Sequence, residues 1–430
     1  MGLREILADT RPLRTPAFRR LWTANIVTVV GAQLTVVAVP AQIYSITGSS
    51  GWVGLTGLFG LVPLVVFGLW GGALADHFDR RRILLVTTTG LIATSGLFWL
   101  QAALALGNVW VLLGLFALQQ AFFAVNQPTR TAVLPRILPN SELAAANALN
   151  MTVMQAGAIA GPLVGGALIP VLGFAWLYFV DTITLFATLW AVWTLPPLPV
   201  EGVSARAPGL RAVWDGLLYL RGHQVLMVAM LVDVIAMVFG MPRALFPEMA
   251  HLAFGGPSEG GLAFALLFAA IPTGAVLGGV FGGWVSRIRR QGMTITWLIV
   301  AWGAAMAAVG VAVGVAEGWG SALAVPMLVI ALVALMAGGA IDMASAALRQ
   351  SLLLGAADDQ VRGRLQGVFL VAVVGGPRIA DVIHGGAGDL WGSGPATAGG
   401  GLLVIIVTLL VVMAWPRFYR FRMDADTNPG

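Results

Sequence analysis

The sequence contains neither cysteine nor lysine; its 24 basic residues are all arginine. Without cysteine there is no disulfide, no thiolate metal site and no cysteine nucleophile. Without lysine there is no Walker-type Gly-x-x-x-x-Gly-Lys-Ser/Thr loop, which argues against direct ATP hydrolysis. Histidine occurs four times and never in a ligand-like cluster, so no metal and no cofactor are expected. Charge of either sign is scarce, at 10% of 430 residues, against about 25% in a soluble domain. So few charges cannot cover an ordinary water-facing surface, and a soluble multi-domain enzyme is excluded. What fills the chain instead is 58% hydrophobic residues and 55 glycines, with a mean hydropathy of +0.89. That composition belongs to a membrane protein with many spans, in which small residues let helices approach closely.

The apolar residues form long unbroken runs rather than the alternation of a β-barrel. Twelve membrane-spanning helices are predicted, at about 18–43, 52–75, 83–106, 108–128, 144–169, 172–194, 223–247, 260–285, 293–316, 322–346, 365–386 and 395–415. Each is close to the length that crosses about 30 Å of hydrocarbon. The first run is too long for a signal-peptide core, so no cleavable leader is expected. All arginines except Arg243 and Arg378 fall at the N-terminus, in alternate loops or at the C-terminus. The positive-inside rule then places both termini in the cytoplasm. This placement also removes nucleic acid as a partner, because the arginines are spread over seven short segments and make no groove-facing patch.

Leu195-Pro196-Pro197-Leu198-Pro199 stops a helix and opens the longest inner loop, 195–222. Residues Leu210, Val213, Leu217, Leu218 and Leu220 in that loop suit a short interfacial helix. The loop divides the chain into an N-terminal six-helix bundle, 1–194, and a C-terminal one, 223–430. A weak internal repeat supports the division. Gly68 to Arg80, ending span two, matches Gly278 to Arg290, ending span eight, and Arg130-xxx-Leu134 is echoed by Arg349-xxx-Leu353. Parallel repeats of this kind build one large group of secondary transporters.

The string Gly72-xxx-Asp76-xx-Asp79-Arg80-Arg81-Arg82 resembles the loop signature of the major facilitator superfamily, with Asp79 where the family usually carries a second glycine. The second copy keeps Gly282 and Arg290 but has Ser286 in place of the acid. In span five, Gly157-xxx-Gly161-Pro162-xx-Gly165-Gly166 resembles the signature of superfamily exporters and antiporters. Val37 to Tyr44, Arg243 to Pro247 and Phe268 to Ala275 are similar to the bacterial enterobactin-exporter branch, which itself resembles macrolide and general drug exporters. The resemblance runs over nearly the whole chain. It implies an all-α polytopic protein, two pseudo-symmetric six-helix halves, alternating access and a monomer. It also implies that Asp76 latches the outward-open state, with Arg80 and Arg81 as gate partners or simple topological anchors. Gly157, Gly161, Pro162, Gly165 and Gly166 read as a tight, bendable contact between halves, or as plain packing.

An ionisable residue inside hydrocarbon is a functional hypothesis by default. Asp233 and Arg243 fall in span seven, Asp342 in span ten, and Arg378 with Asp381 on one face of span eleven. If the family layout holds, spans one, four, seven and ten line the cavity, and Asp233, Arg243 and Asp342 meet substrate or proton. Arg243 suits an anionic or catecholate ligand. Asp342 has the alternative of pairing with Arg349, Arg378 and Asp381 that of a neutralised structural pair, and Asp181 in span six reads as structural. Asn25 and Gln33 on span one, and Gln119, Gln120 and Asn126 on span four, offer a softer polar wall or ordinary interhelical hydrogen bonds. The expectation is secondary-active efflux of a small amphipathic solute, a macrolide-like drug or a catecholate siderophore, by proton antiport. Nutrient uptake on the same fold is the alternative, and sodium coupling stays open.

Overall fold

The computed structural model describes residues 9–198, 218–356 and 359–422, and their side chains except those of 69–77, 286, 321 and 353–373. The backbone among them is helical almost throughout, as hydrocarbon demands: a spanning segment must satisfy its own N–H and C=O groups. The long helices are α1 (Pro16–Thr47), α2 (Ser50–His77), α3 (Arg80–Ala103), α4 (Val109–Ile137), α5 (Leu143–Trp193), α6 (Gln224–Phe239), α7 (Leu262–Val280), α8 (Gln291–Trp319), α9 (Ser321–Ala356), α10 (Asp359–Trp391) and α11 (Ser393–Ala414).

Ten helical segments among the described residues are long and apolar enough to cross a membrane. The difference from twelve has two sources. One segment, Asn140–Trp193, covers two of the expected spans, because the chain passes through α5 with a single interruption at Gly173 (φ 76°, ψ 165°). A left-handed φ of that kind needs glycine. The other source is the eleventh expected span, in α10. Its described side chains, 374–391, include Arg378, Asp381 and Asp389. The expected interfacial helix at Leu210, Val213 and Leu217 lies outside the described residues.

The chain divides into two compact units. The first comprises Met1–Ile46 and Phe59–Ala207, the second Thr47–Leu58 and Pro208–Gly430. In the first, α3 packs on α4 and α5. One apolar core joins Leu21 and Ala24 of α1, Leu84 of α3, Val133 of α4 and Ala191 of α5. A second groups Phe18, Leu134, Leu138, Ala146 and Leu149. In the second unit α8 packs on α9 and α11, α7 on α9, and α10 on α6. The α8–α11 contact is a small-residue seam: a methyl group added at Gly310 would strike the Ala398 backbone, and one at Gly401 the Ala307 backbone. On the outer side of α11, Leu402, Ile406, Leu410 and Met413 are exposed at intervals of three to four, the stripe a lipid-facing helix presents.

Asp79, the residue that departs from the family loop pattern, has a local structural role. It is the N-cap of α3, accepting from the Arg81 backbone N–H at 2.8 Å. The same oxygen receives the Leu198 N–H at 3.4 Å, tying the end of the first unit to the loop. Asp79→Ala should lower stability by about 1 kcal/mol, read as a drop in the detergent unfolding temperature. An unchanged unfolding temperature would show that the cap contributes nothing.

Candidate functional site

The described carboxylates that lie beside arginines in the second unit gather in two places. The first is built from α6 and α9. Asp233 on α6, fully buried, meets Arg349 on α9 with Nη2 2.8 Å from Oδ1. The N–H bonds of Arg349 point aside from this line, so the contact is a charge pair rather than a directed hydrogen bond. Arg349 Nη2 also lies 3.6 Å from Oδ1 of Asp342, two turns earlier on the same face of α9. Its Nη1 donates to Ser345 Oγ at 2.8 Å. One guanidinium thus faces two carboxylates. With all three groups ionised the cluster carries one surplus negative charge, which one proton or one cation neutralises. Asp342 is the partly accessible member, its side chain 28% exposed against 1% for Asp233.

The sequence offered Arg349 as an alternative partner of Asp342, which it is, but did not bring it to Asp233. Arg349 counts there as a loop anchor beyond span ten; it is a buried residue of α9. Arg130 and Arg136 likewise lie inside α4 rather than in a loop. The internal echo between Arg130 and Arg349 was the available signal. Arg130 reaches the Leu21 backbone carbonyl on α1 at 3.4 Å, where its counterpart reaches an aspartate on α6.

The second place gathers Arg243, Arg378 and Asp381. Helix α6 stops at Phe239, and Arg243 opens a 3-10 turn after Pro242, so it does not continue the same helix as Asp233. Asp381 lies in the field of both arginines. The two arginines that escape the loop pattern thus converge on one carboxylate, and the expected pair is a trio. Close by, His384 is buried with Nε2 3.0 Å from the Phe239 carbonyl oxygen, at the end of α6.

Toward the end of α10 the first turn of α2 is held by carboxylates. Asp389 accepts from Ser49 Oγ at 2.6 Å and from the Gly51 N–H at 3.0 Å. Glu248 accepts from Ser50 Oγ, and Glu317 from Ser393 Oγ at 2.9 Å. Below this turn Gly54 and Gly57 leave no room for a side chain against Asp381 and Arg378. None of Glu248, Glu317 and Asp389 stood out in the sequence, since each is a lone acid near the end of an apolar run.

In the first unit the glycine-proline motif packs α5 on α1. A methyl at Gly157 would strike Val29, at Gly161 Gln33, and at Gly165 would come 2.9 Å from Leu34 and Val37. Pro162 and Gly166 are buried beside them. The described contact of these three glycines is internal to this unit, between spans one and five. Arg81 donates to the Trp193 carbonyl at 2.7 Å, fastening α3 to the end of α5; Arg80 is half-buried. Asn126 donates to Thr87 at 2.8 Å and Thr88 at 3.2 Å, an interhelical hydrogen bond between α4 and α3. Asn25 is buried, while Gln33, Gln119 and Gln120 are half-buried. The side chains of Asp76 and Gly72 lie outside the described residues.

A buried charge cluster in a helical membrane protein can bind and release ions or anionic groups; by itself it names no substrate. A family model described as a transmembrane secretion effector matches residues 8–427. The chain is 29% identical over 424 residues to the enterobactin exporter EntS of Shigella boydii serotype 18, with 94% of each chain covered. A crystal structure of the nucleoside transporter NupG superposes with a TM-score of 0.68 at 11% identity, covering 94% of this chain and 99% of that one. A D-xylose-proton symporter does so with a TM-score of 0.64 at 14% identity, covering 93% and 96%. At such identities the two structures establish the fold alone. The family match spans the chain, and the helices, seams and buried charges are those such a protein requires: the chain belongs to the transmembrane secretion effector family of the major facilitator superfamily and is a membrane transporter, not an enzyme.

Proposed function

We propose that the protein exports a small amphipathic solute across the bacterial cytoplasmic membrane, in exchange for protons, with both termini in the cytoplasm. The substrate is a catecholate siderophore or a hydrophobic drug of the macrolide type. The observation that carries this reading is the Arg349–Asp233–Asp342 cluster. One cation between two carboxylates takes up a proton at low cost and loses it when the geometry changes. Each proton carried inward down the membrane potential releases about 2.3 kcal/mol per 100 mV. The likeness to an enterobactin exporter and the glycine-proline motif of span five support the outward direction. Twelve spans, in an N-terminal six-helix bundle at 1–194 and a C-terminal one at 223–430, remain the arrangement that the arginine distribution favours. Arg243 beside Asp381 supplies positive charge for a catecholate. Asp76, at the inner end of α2, acts as the latch of the outward-open state.

The test is accumulation of a labelled catecholate siderophore and a labelled macrolide in cells lacking their own pumps, with and without an uncoupler. Protein-dependent loss of one compound, abolished by the uncoupler, is the expected result and names the substrate class. Protein-dependent gain would make the protein an uptake carrier. Asp233→Asn should remove uncoupler-sensitive efflux, and Asp76→Asn should slow it, both with normal membrane insertion. Wild-type rates in either variant would retire that residue's role.

A further inference from the structure

In the second unit Asp233, Asp342 and Asp381 each lie beside an arginine; in the first unit one buried carboxylate has no such cation beside it among the described residues. Asp181, in the part of α5 beyond the Gly173 kink, is 1% exposed. Its Oδ2 accepts from Thr35 Oγ1 on α1 at 2.7 Å and from Ser95 Oγ on α3 at 2.8 Å. Its Oδ1 is buried and has no hydrogen-bond partner. No arginine or histidine pairs with it among the described residues, and Tyr178, one turn back, is the titratable group near it. The site is closely fitted: a methyl on Gly31 of α1 would come 2.8 Å from Asp181 Cα and 3.0 Å from Oδ1. Beside it runs a second polar string, in which Tyr178 Oη donates to Gln42 Oε1 at 2.9 Å and Gln42 and Gln101 bond reciprocally at 3.0 and 3.3 Å.

Two protonation states compete. An ionised Asp181 leaves a charge in a buried interior with no cation beside it among the described residues, at a cost of several kcal/mol. A protonated Asp181 leaves one O–H without an acceptor, at about 1–3 kcal/mol. The hydrogen-bond pattern suits the second state: Oδ2, as the carbonyl oxygen, takes both hydroxyl donors, and Oδ1 carries the proton.

We infer that Asp181, with Thr35 and Ser95, is a proton-binding site of the first unit, holding a proton on Oδ1 while dry and releasing it to water when the site hydrates during transport. The step makes and breaks one O–H bond, with water supplying and receiving the proton. The transport consequence rests on the proton-driven reading above; the proton itself does not.

Infrared difference spectra of the purified full-length protein test the proton, and transport tests its use. Asp181→Asn keeps the shape and the two hydroxyl contacts. It should abolish the hydrogen-exchangeable C=O stretch of a protonated carboxyl seen in the wild type at neutral pH. Gradient-driven efflux should fall by at least about tenfold while substrate exchange without a gradient stays within about twofold. If that variant does not fold, Thr35→Val removes one donor to the charged form. It should move the pH at which the band disappears upward. An unchanged spectrum, or unchanged gradient-driven efflux, overturns the assignment. A wild type indifferent to the gradient that still loses the band on substitution sinks the antiport reading and leaves the protonated site standing.

Discussion

Arg349→Met should silence transport and lower the stability of the folded protein by about 3–5 kcal/mol. The side chain is buried between Asp233 at 2.8 Å and Asp342 at 3.6 Å, and its removal leaves two carboxylates facing one another without a cation. They can relieve part of this by taking up a proton, which is why stability is measured at neutral and at acid pH: the loss should shrink as pH falls. Combining Arg349→Met with Asp233→Asn should recover much of the stability, because only the partly exposed Asp342 is then left without its cation, but none of the transport. The double variant separates the two roles. If Arg349→Met unfolds at the wild-type temperature, the cluster is not the electrostatic centre of the second unit.

The second large effect is expected at Gly161. A Cβ there would overlap Gln33 of α1, and the contact is backbone against the stem of a side chain fixed on a neighbouring helix. Gly161→Leu should cost about 1–3 kcal/mol through overpacking and abolish transport by forcing α1 away from α5. Gly114 on α4 meets nothing within 4 Å. Gly114→Ala should be neutral or stabilising by up to about 1 kcal/mol, as expected for a helix interior. The pair distinguishes a packing requirement at the motif from a general intolerance of side chains at glycine. Equal, small effects at both positions would reduce the motif to composition.

These two residues also mark what could be read from the residues in order and what could not. The glycine-proline motif announced a close helix contact through its spacing alone, and the structure supplies the partner helix, which no local pattern encodes. The helices themselves were readable because hydrocarbon leaves the backbone no alternative over long apolar runs. The Pro170-Val171-Leu172 connection between two of them became a kink at Gly173, because a tight reversal can keep helical hydrogen bonds on both sides. Arg349 was misplaced for a plain reason. At the inner end of an apolar helix an arginine has the same local context whether it faces lipid headgroups or an aspartate on another helix. The nearer of its two counter-ions, Asp233, lies far along the chain. Asp79 shows the converse: it departs from the family loop pattern, yet its position just before α3 is an ordinary N-cap. Glu248 and Asp389, isolated acids in the sequence, find their hydroxyl and N–H donors only when the start of α2 meets the Phe246–Glu248 turn and the end of α10.

The central claim is that movement of solute and movement of protons are one process. Inverted membrane vesicles containing the protein, energised so that the lumen becomes acidic, measure it directly with a labelled catecholate or macrolide as solute. The account predicts accumulation of solute in the lumen against its own gradient, collapse of that accumulation when the proton gradient is dissipated, and none in vesicles carrying Asp233→Asn. Accumulation that persists after the gradient is dissipated, or that matches vesicles lacking the protein, would contradict it.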